Sequence, residues 1–265
     1  YMTTPSMNEF YNPAVIYAAQ KCRVKEIYKI GGAQAIAAMA YGTKTFQKVD
    51  KIVGPGNIFV ATAKKQVFGD VGIDMIAGPS EVTIVADKSS KPNWIAADLI
   101  AQAEHDESSQ SIVLADDVKI IQQINYYLLQ QLKSLPKKNI AYKSLKNFGL
   151  SILIKNNKIL TDTINLIAPE HLEIFAKNAN KILKNVSNVG SIFLGAYSPE
   201  AVGDYLAGPN HVLPTSGTAR FSSGLSVYDF LKRYSVIKMT KSGIERLGTS
   251  VINLAEYENL EGHAN

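Results

Sequence analysis

Cysteine is almost missing from this chain: Cys22 stands alone among 265 residues. That excludes a disulfide framework and a thiolate-bound metal, and a reducing, cytoplasmic compartment fits it best. Long apolar runs are missing too. None approaches the roughly 20 residues needed to cross a bilayer, and no signal-peptide pattern opens the chain, so no membrane partner is expected. Lysine and arginine outnumber aspartate and glutamate, giving a net charge of +5, but no single basic block accounts for it. Lys64, Lys65, Lys137, Lys138, Lys155, Lys158 and Lys184 are scattered and not interleaved with aromatics. They read as a solvated surface and not a nucleic-acid groove, with weak polyanion binding the poorer alternative. Also missing is the Gly-x-Gly-x-x-Gly dinucleotide fingerprint, of which Gly54-Pro-Gly-Asn57 is only a partial echo. What is present is ordinary globular composition. A hydrophobic share of 46% against 19% charged excludes a disordered chain, and the length allows one large or two modest domains.

The pattern along the chain is strand, glycine turn, helix. Asn12-Pro13 predicts a helix to about Cys22, with Val15, Ile16, Ala18 and Ala19 inward. Strand 26–30 meets Gly31-Gly32 and a helix from Ala33 to Tyr41. Strand 51–53 breaks at Gly54-Pro55-Gly56 before a helix from Asn57 to Val67. Val82–Ala86 and Ser111–Ala115 read as buried strands. Lys91-Pro92 opens a helix ending at His105, and a long amphipathic helix covers about 118–132. Leu135-Pro-Lys-Lys138 reads as a loop. Further strands (151–154, 172–175, 190–194) alternate with helices (160–167, 178–183), and Ser198-Pro199-Glu200 caps a helix to about Leu206. After Ser222 the alternation fades into a helix near 228–233, a strand at 235–239 and a polar helical tail at 241–261. The expected fold class is α/β, with two Rossmann-like parallel-sheet units in series and a small helical C-terminal appendix. Their bounds are 1–79, 80–225 and 226–265. Ile52-Val-Gly-Pro-Gly-Asn57, Ile76-Ala-Gly-Pro-Ser-Glu81 and Leu206-Ala-Gly-Pro-Asn210 echo one another, and each reads equally well as an ordinary strand-to-helix turn.

Chemistry gathers first between Leu99 and Gln110, where an apolar helix ends in an amide, an imidazole and three carboxylates. On a helix Gln102 and His105 share a face and can grip one small ion. For any lone histidine an inert, hydrogen-bonded role is the commoner one. Here His105, His171, His211 and His263 all sit at loops or helix ends beside carboxylates or amides, which favours a shared site. Without cysteine, a metal would be held by imidazole nitrogens and carboxylate or amide oxygens, a set that suits zinc. Asp204 supplies a carboxylate from a helix.

The run Ala101-Gln-Ala-Glu-His105, with Gly203-Asp-Tyr205, Ala77-Gly-Pro-Ser-Glu81, Pro169-Glu-His-Leu172, Ser191-Ile-Phe-Leu-Gly195, Ser198-Pro-Glu200 and Asn210-His-Val-Leu-Pro-Thr215, resembles the histidinol dehydrogenases over essentially the whole chain. The family is longer at both ends, so the chain reads as a fragment lacking an N-terminal part and the extreme C-terminus. As such it is expected to be inactive and loosely packed by itself. The resemblance implies zinc on Gln102, His105 and Asp204, with His263 supplied by the other subunit of a homodimer. It implies proton chemistry by Glu170 and His171. Histidinol contacts fall to Ser80, Gln102, His105, His171, Asp204, Glu258 and His263, with Glu258 again from the other subunit. NAD is placed on Gln34 and Asn57, and His211 receives no role. The implied activity is NAD-dependent oxidation of L-histidinol to L-histidine through L-histidinal, the last step of histidine biosynthesis. Two alternatives stand beside it: a related zinc- and NAD-dependent dehydrogenase acting on another alcohol, such as a sulfonated propanediol, and a catalytically dead ligand-binding remnant.

Overall fold

Asn12 begins the first helix as its sequence requires, its Oδ1 accepting the Ala14 N–H at 2.9 Å. In this computed structural model residues 1–5, 12–136 and 138–265 are described, so Lys137 lies outside the described residues. The chain falls into two compact units, Tyr1–Asp229 and Phe230–Asn265.

The first part of the larger unit is built on two short parallel pairs. Strand β1 (Met2–Thr3) and helix α1 (Pro13–Lys21) precede β2 (Ile27–Tyr28), which pairs with β1. Helix α2 (Gly32–Tyr41) leads to β3 (Lys51–Ile52), helix α3 (Ile58–Val67) and β4 (Gly72–Ile73), which pairs with β3. Ile36, Ala40, Ile52, Ala63, Val67 and Val71 form its core. On α1 only Ala19 is buried. Ala18 is exposed, so the expected inward face is narrower than read.

The second part is a five-stranded, all-parallel sheet. Its elements are β5 (Glu81–Ala86), α4 (Pro92–Ala103), β6 (Gln110–Ala115), α5 (Val118–Ser134), α6 (Lys138–Phe148), β7 (Gly149–Leu153), α7 (Asn157–Ile167), β8 (His171–Ile174), α8 (Ala179–Leu183), β9 (Ser191–Leu194) and α9 (Glu200–Tyr205). The strand order is β7-β6-β5-β8-β9. The chain therefore winds outward on one side of β5 and then returns to wind outward on the other, the Rossmann arrangement. Val82, Ile84, Val113, Ile95, Leu99, Ile120 and Ile124 pack on the α4/α5 face. Val85, Ile112, Leu114, Leu172, Ile174, Leu160 and Ile164 pack on the α7 face. Burial on both faces explains why Val82–Ala86 and Ile112–Ala115 do not alternate polar with apolar residues, Thr83 being their one polar member.

Four sequence expectations are corrected. Residue 138 opens helix α6, which follows Pro136 and is so rich in lysine and asparagine that only Ala141 and Ser144 are buried, a composition that reads as loop. Lys64 is not on the solvated surface but buried at 3% exposure. The helix expected near 228–233 is a short 3-10 turn, Val227–Phe230. The strand expected at 235–239 is unpaired and forms no strand, because apolar residues with no neighbouring edge cannot make a ladder. The smaller unit consists of α10 (Lys241–Tyr257), capped by the Thr240 hydroxyl on the Gly243 N–H at 3.1 Å, and α11 (Glu261–Ala264).

Candidate active site

In an open parallel sheet the gap between β5 and β8, where the winding reverses, ordinarily receives a ligand at the carboxyl ends of the strands. Here Asp87 takes that place. Its Oδ2 accepts the Lys177 N–H at 2.7 Å and its Oδ1 accepts from Ser89, tying the two loops together. The polar cluster lies at the other end of the same strands, around the first residues of β5 and β8.

Glu81, the first residue of β5, organises it through its backbone. Its N–H donates to Glu170 Oε2 at 2.9 Å, and its carbonyl lies 3.1 Å from His171 Nδ1. A carbonyl can only accept, so Nδ1 carries hydrogen and Nε2 of the neutral ring keeps its lone pair. That Nε2 is buried with no hydrogen-bond partner, 3.8 Å from Asp204 Oδ1. The turn that delivers Glu170-His171 follows from α7 ending in a left-handed Ala168 (φ 50°) before Pro169. Gly190 lets β9 lie close to this turn: a Cβ there would stand 2.6 Å from the Glu170 carbonyl oxygen. The Glu81 carboxylate accepts the Ser216 N–H at 2.9 Å, and the Gly78 N–H donates to Thr215 Oγ1 at 2.5 Å, which fixes the Asn210–Thr215 loop over the site.

Around this core sits a cavity of about 420 Å³ whose wall includes Ser80, His105, His171, Asp204 and His211, with Pro55 and Gly56 reaching in from the N-terminal part. Ligand atoms of His105, Glu200 and Asp204 lie within 4.8 Å of one another. Gln102 is fully buried beside them. With its amide nitrogen toward Glu200 it donates to both carboxylate oxygens, at 2.9 and 3.2 Å. An ionised Glu200, the form a neighbouring cation favours, can only accept, and opposite it the Gln102 atom must be the nitrogen. Glu200 and Asp204 are one turn apart on α9, and Gly203 between them allows close approach to the Phe193 ring.

Burial dominates the electrostatics. It pushes Glu170 up to about 8, only partly offset by the Glu81 N–H. Burial also raises Glu81, and it raises Glu200 well above the carboxylate range, with Glu173 adding to the latter. It lowers His171, favouring the neutral ring. Behind the site the fully buried Glu173, pushed to about 9 by burial and then by Asp98, accepts the Glu200 N–H at 2.7 Å. Two such carboxyls lie side by side only if one keeps its proton.

Ser80, Gln102, His105, Glu170, His171 and Asp204 are thus brought together, joined by His211. One local expectation fails: α4 ends at Ala103, and His105 lies just beyond it, joined back by its N–H to the Gln102 carbonyl at 3.3 Å. The two still meet at one cavity, through a turn and not along a helix face. The carboxylates Asp106 and Glu107 are used locally, by Ser108 and Lys143. Gln34 and Asn57 are exposed in the N-terminal part, in the first turn of α2 and at the N-cap of α3. Asn57 Oδ1 accepts from Phe59 and Val60. Glu258 and His263 belong to the smaller unit. Sequence reasoning missed Glu81, Glu173 and Glu200. The available signals were a carboxylate at an inward position of an apolar strand (Glu173) and the i, i+4 spacing of Glu200 and Asp204. Of the three Gly-Pro echoes only Gly54-Pro-Gly-Asn57 joins a strand to a helix, since the second leads into β5 and the third follows α9.

A Rossmann-ordered sheet with a buried neutral imidazole and a set of oxygen and nitrogen donors at the strand ends defines an α/β protein of Rossmann type. A family model described as histidinol dehydrogenase matches residues 1–265. The chain is 57% identical over 264 residues to the histidinol dehydrogenase of Pelagibacter ubique and 49% identical over 263 residues to that of Bacillus subtilis, covering 99% of this chain and 62% of each relative. The crystal structure of histidinol dehydrogenase from Elizabethkingia anophelis is similar with a TM-score of 0.92 at 43% identity, covering 99% of this chain and 61% of that one. An acetylating aldehyde dehydrogenase from Geobacillus thermoglucosidasius, at 12% identity and a TM-score of 0.52, shares the fold alone. This chain belongs to the histidinol dehydrogenase family. It spans about three-fifths of the length of the relatives it matches.

Proposed function

We propose that the protein containing this chain oxidises L-histidinol to L-histidine through L-histidinal, with NAD and zinc, as the last step of histidine biosynthesis in the cytoplasm. The observation that carries this reading is the buried, partnerless Nε2 of His171, held in its accepting form by the Glu81 carbonyl and set beside Asp204 in the cavity. A lone pair so placed is what an alcohol's proton needs as hydride departs. Glu170, one residue away on the same turn, serves the second oxidation, in which water must first add to the aldehyde.

The residues fit a zinc ion. His105, Asp204 and the Gln102 carbonyl oxygen are nitrogen and oxygen donors of the right kind, and in the proposed homodimer His263 of the partner subunit completes the set. When bound, zinc would serve as a template that orients a nitrogen-bearing substrate, and NAD would be the hydride acceptor. Ser80 of this chain, together with Glu258 of the partner subunit, holds the rest of the substrate. We assign NAD to residues 1–79, through Gln34 and the Nδ2 hydrogens that Asn57 does not use in capping α3. Residues 80–225 then form the catalytic part, and 226–265 the tail shared between subunits. The test is NADH formation from histidinol by the full-length zinc-loaded protein. Two NADH per histidinol are expected, and loss of zinc on His105→Ala. Turnover of a sulfonated propanediol but not histidinol would favour the alternative substrate, and zinc-replete protein with no turnover of either would favour a remnant.

A further inference from the structure

We infer that Glu200 is the positioning residue that fixes the side-chain amide of Gln102, leaving its carbonyl oxygen as the atom available to a cation. The inference rests on the metal reading above and assigns Glu200 a place outside the ligand set.

A glutamine amide has two ends of opposite character. Its oxygen binds a cation and its NH2 group repels one, so a glutamine ligand works only if something decides which end faces the ion. One terminal atom of the Gln102 amide lies 2.9 and 3.2 Å from the two Glu200 oxygens, and against the ionised carboxylate that atom is the nitrogen. Gln102 is fully buried and Glu200 only 4% exposed, so no water competes for that hydrogen bond. Glu200 is itself held from behind. Its N–H donates to Glu173 Oε1 at 2.7 Å, and the Glu173 carboxyl lies against that of Asp98. Asp98 is one turn before Gln102 on α4, so α4, β8 and α9 are closed into a ring: Asp98 to Glu173, Glu173 to the start of α9, Glu200 back to Gln102. The ring supports ligand orientation in the way outer partners of metal ligands do elsewhere. The competing assignment is that Glu200 ligates directly, since an oxygen of it lies within 4.8 Å of donor atoms of His105 and Asp204. The pairing of both its oxygens with Gln102 argues against this.

The experiment is a zinc titration of the full-length protein, without substrate or NAD, by competition with a chromophoric chelator. Gln102→Ala and Glu200→Leu should each weaken zinc binding about 10–100-fold. The double variant should bind no more weakly than Gln102→Ala alone, because Glu200 acts through Gln102. Glu200→Gln keeps an acceptor for the Gln102 amide and should stay within a few-fold of the parent. Losses that multiply in the double variant, or no loss in Glu200→Leu, would overturn the inference. Melting of the zinc-free variants shows whether Glu200→Leu is folded. If it is not, Glu200→Gln decides alone: a loss as large as that of His105→Ala overturns the inference. Parent-like zinc binding by both Gln102→Ala and His105→Ala would instead remove the metal reading itself.

Discussion

At the scale of single residues, burial moves Glu81, Glu170, His171 and Glu200 off their usual titration ranges. His171 and Glu170 share one backbone anchor, Glu81, and the different tasks proposed for them predict that their substitutions separate. We expect His171→Asn to depress oxidation of both histidinol and histidinal, by about 10²–10⁴-fold. Glu170→Gln should slow the histidinal step more than the histidinol step. Steady-state assays started from each substrate check this, and equal small losses for both variants would sink the assignment. The same groups tie stability to pH. Glu170 at about 8 and Glu173 at about 9, against an ordinary 4.5, bind protons more tightly folded than unfolded. Their contribution to stability is full below pH 4.5 and lost as pH rises through 8 and 9. His171 has the opposite sign, since burial lowers it below 6.5 and costs stability only in acid. Between pH 6.5 and 9 the carboxyls act alone. The Tm of the metal-free protein should fall across that window, and fall less in Glu173→Gln, which keeps the acceptor for the Glu200 N–H. An unchanged slope in that variant would show that Glu173 is not the titrating group.

Elements are placed by a few buried polar ties as much as by apolar packing. The clearest is Lys64 on α3, which is paired with Asp74 and donates to the Gly54 carbonyl at 3.0 Å. Asp74 in turn accepts the Gly54 N–H at 2.7 Å and the Met75 N–H at 2.7 Å. One ion pair thus grips both sides of Gly54, whose φ of 122° suits glycine, and holds the loop that brings Pro55 and Gly56 to the cavity and leads into Asn57. Removing one partner strands a buried charge, at a cost of about 3–5 kcal/mol. For Lys64→Met we expect a matching fall in Tm and a raised KM for NAD, with the KM for histidinol nearly unchanged. Equal shifts in both KM values would place the clamp at the substrate and not at the cofactor. The signal for this pair was invisible in the sequence. A lysine on an amphipathic helix is usually solvated, and only the fold brings Asp74 beneath it.

For the whole molecule, the proposed sharing of sites between subunits has a direct test. His105→Ala and His263→Ala proteins should each be nearly inactive as homodimers. Mixed dimers should recover about one good site in two, because one interface then carries both intact ligands. Activity after mixing and subunit exchange, with dimers confirmed by light scattering, reads this out. No recovery would mean that each site closes within one subunit. No helix among the described residues is long and apolar enough to cross a membrane.

The sequence alone determined the parallel α/β class, because apolar runs of strand length separated by glycine turns and amphipathic helices admit few other arrangements. Nearly every strand and helix of the larger unit was legible for that reason, as were the motifs holding Gln102, His105, Glu170, His171 and Asp204. It could not supply what depends on neighbours distant in the chain. Helix α6 was hidden by its polar composition and the Pro136 before it, and the apolar segment 235–239 looked like a strand although it has no edge to pair with. The site's place at the amino ends of β5 and β8 was equally out of reach. That was decided by Glu81 offering its N–H to one residue and its carbonyl to the next, 89 and 90 positions away. Periodicity reports which side of an element meets the core. Which polar group waits there is settled only when the sheet closes.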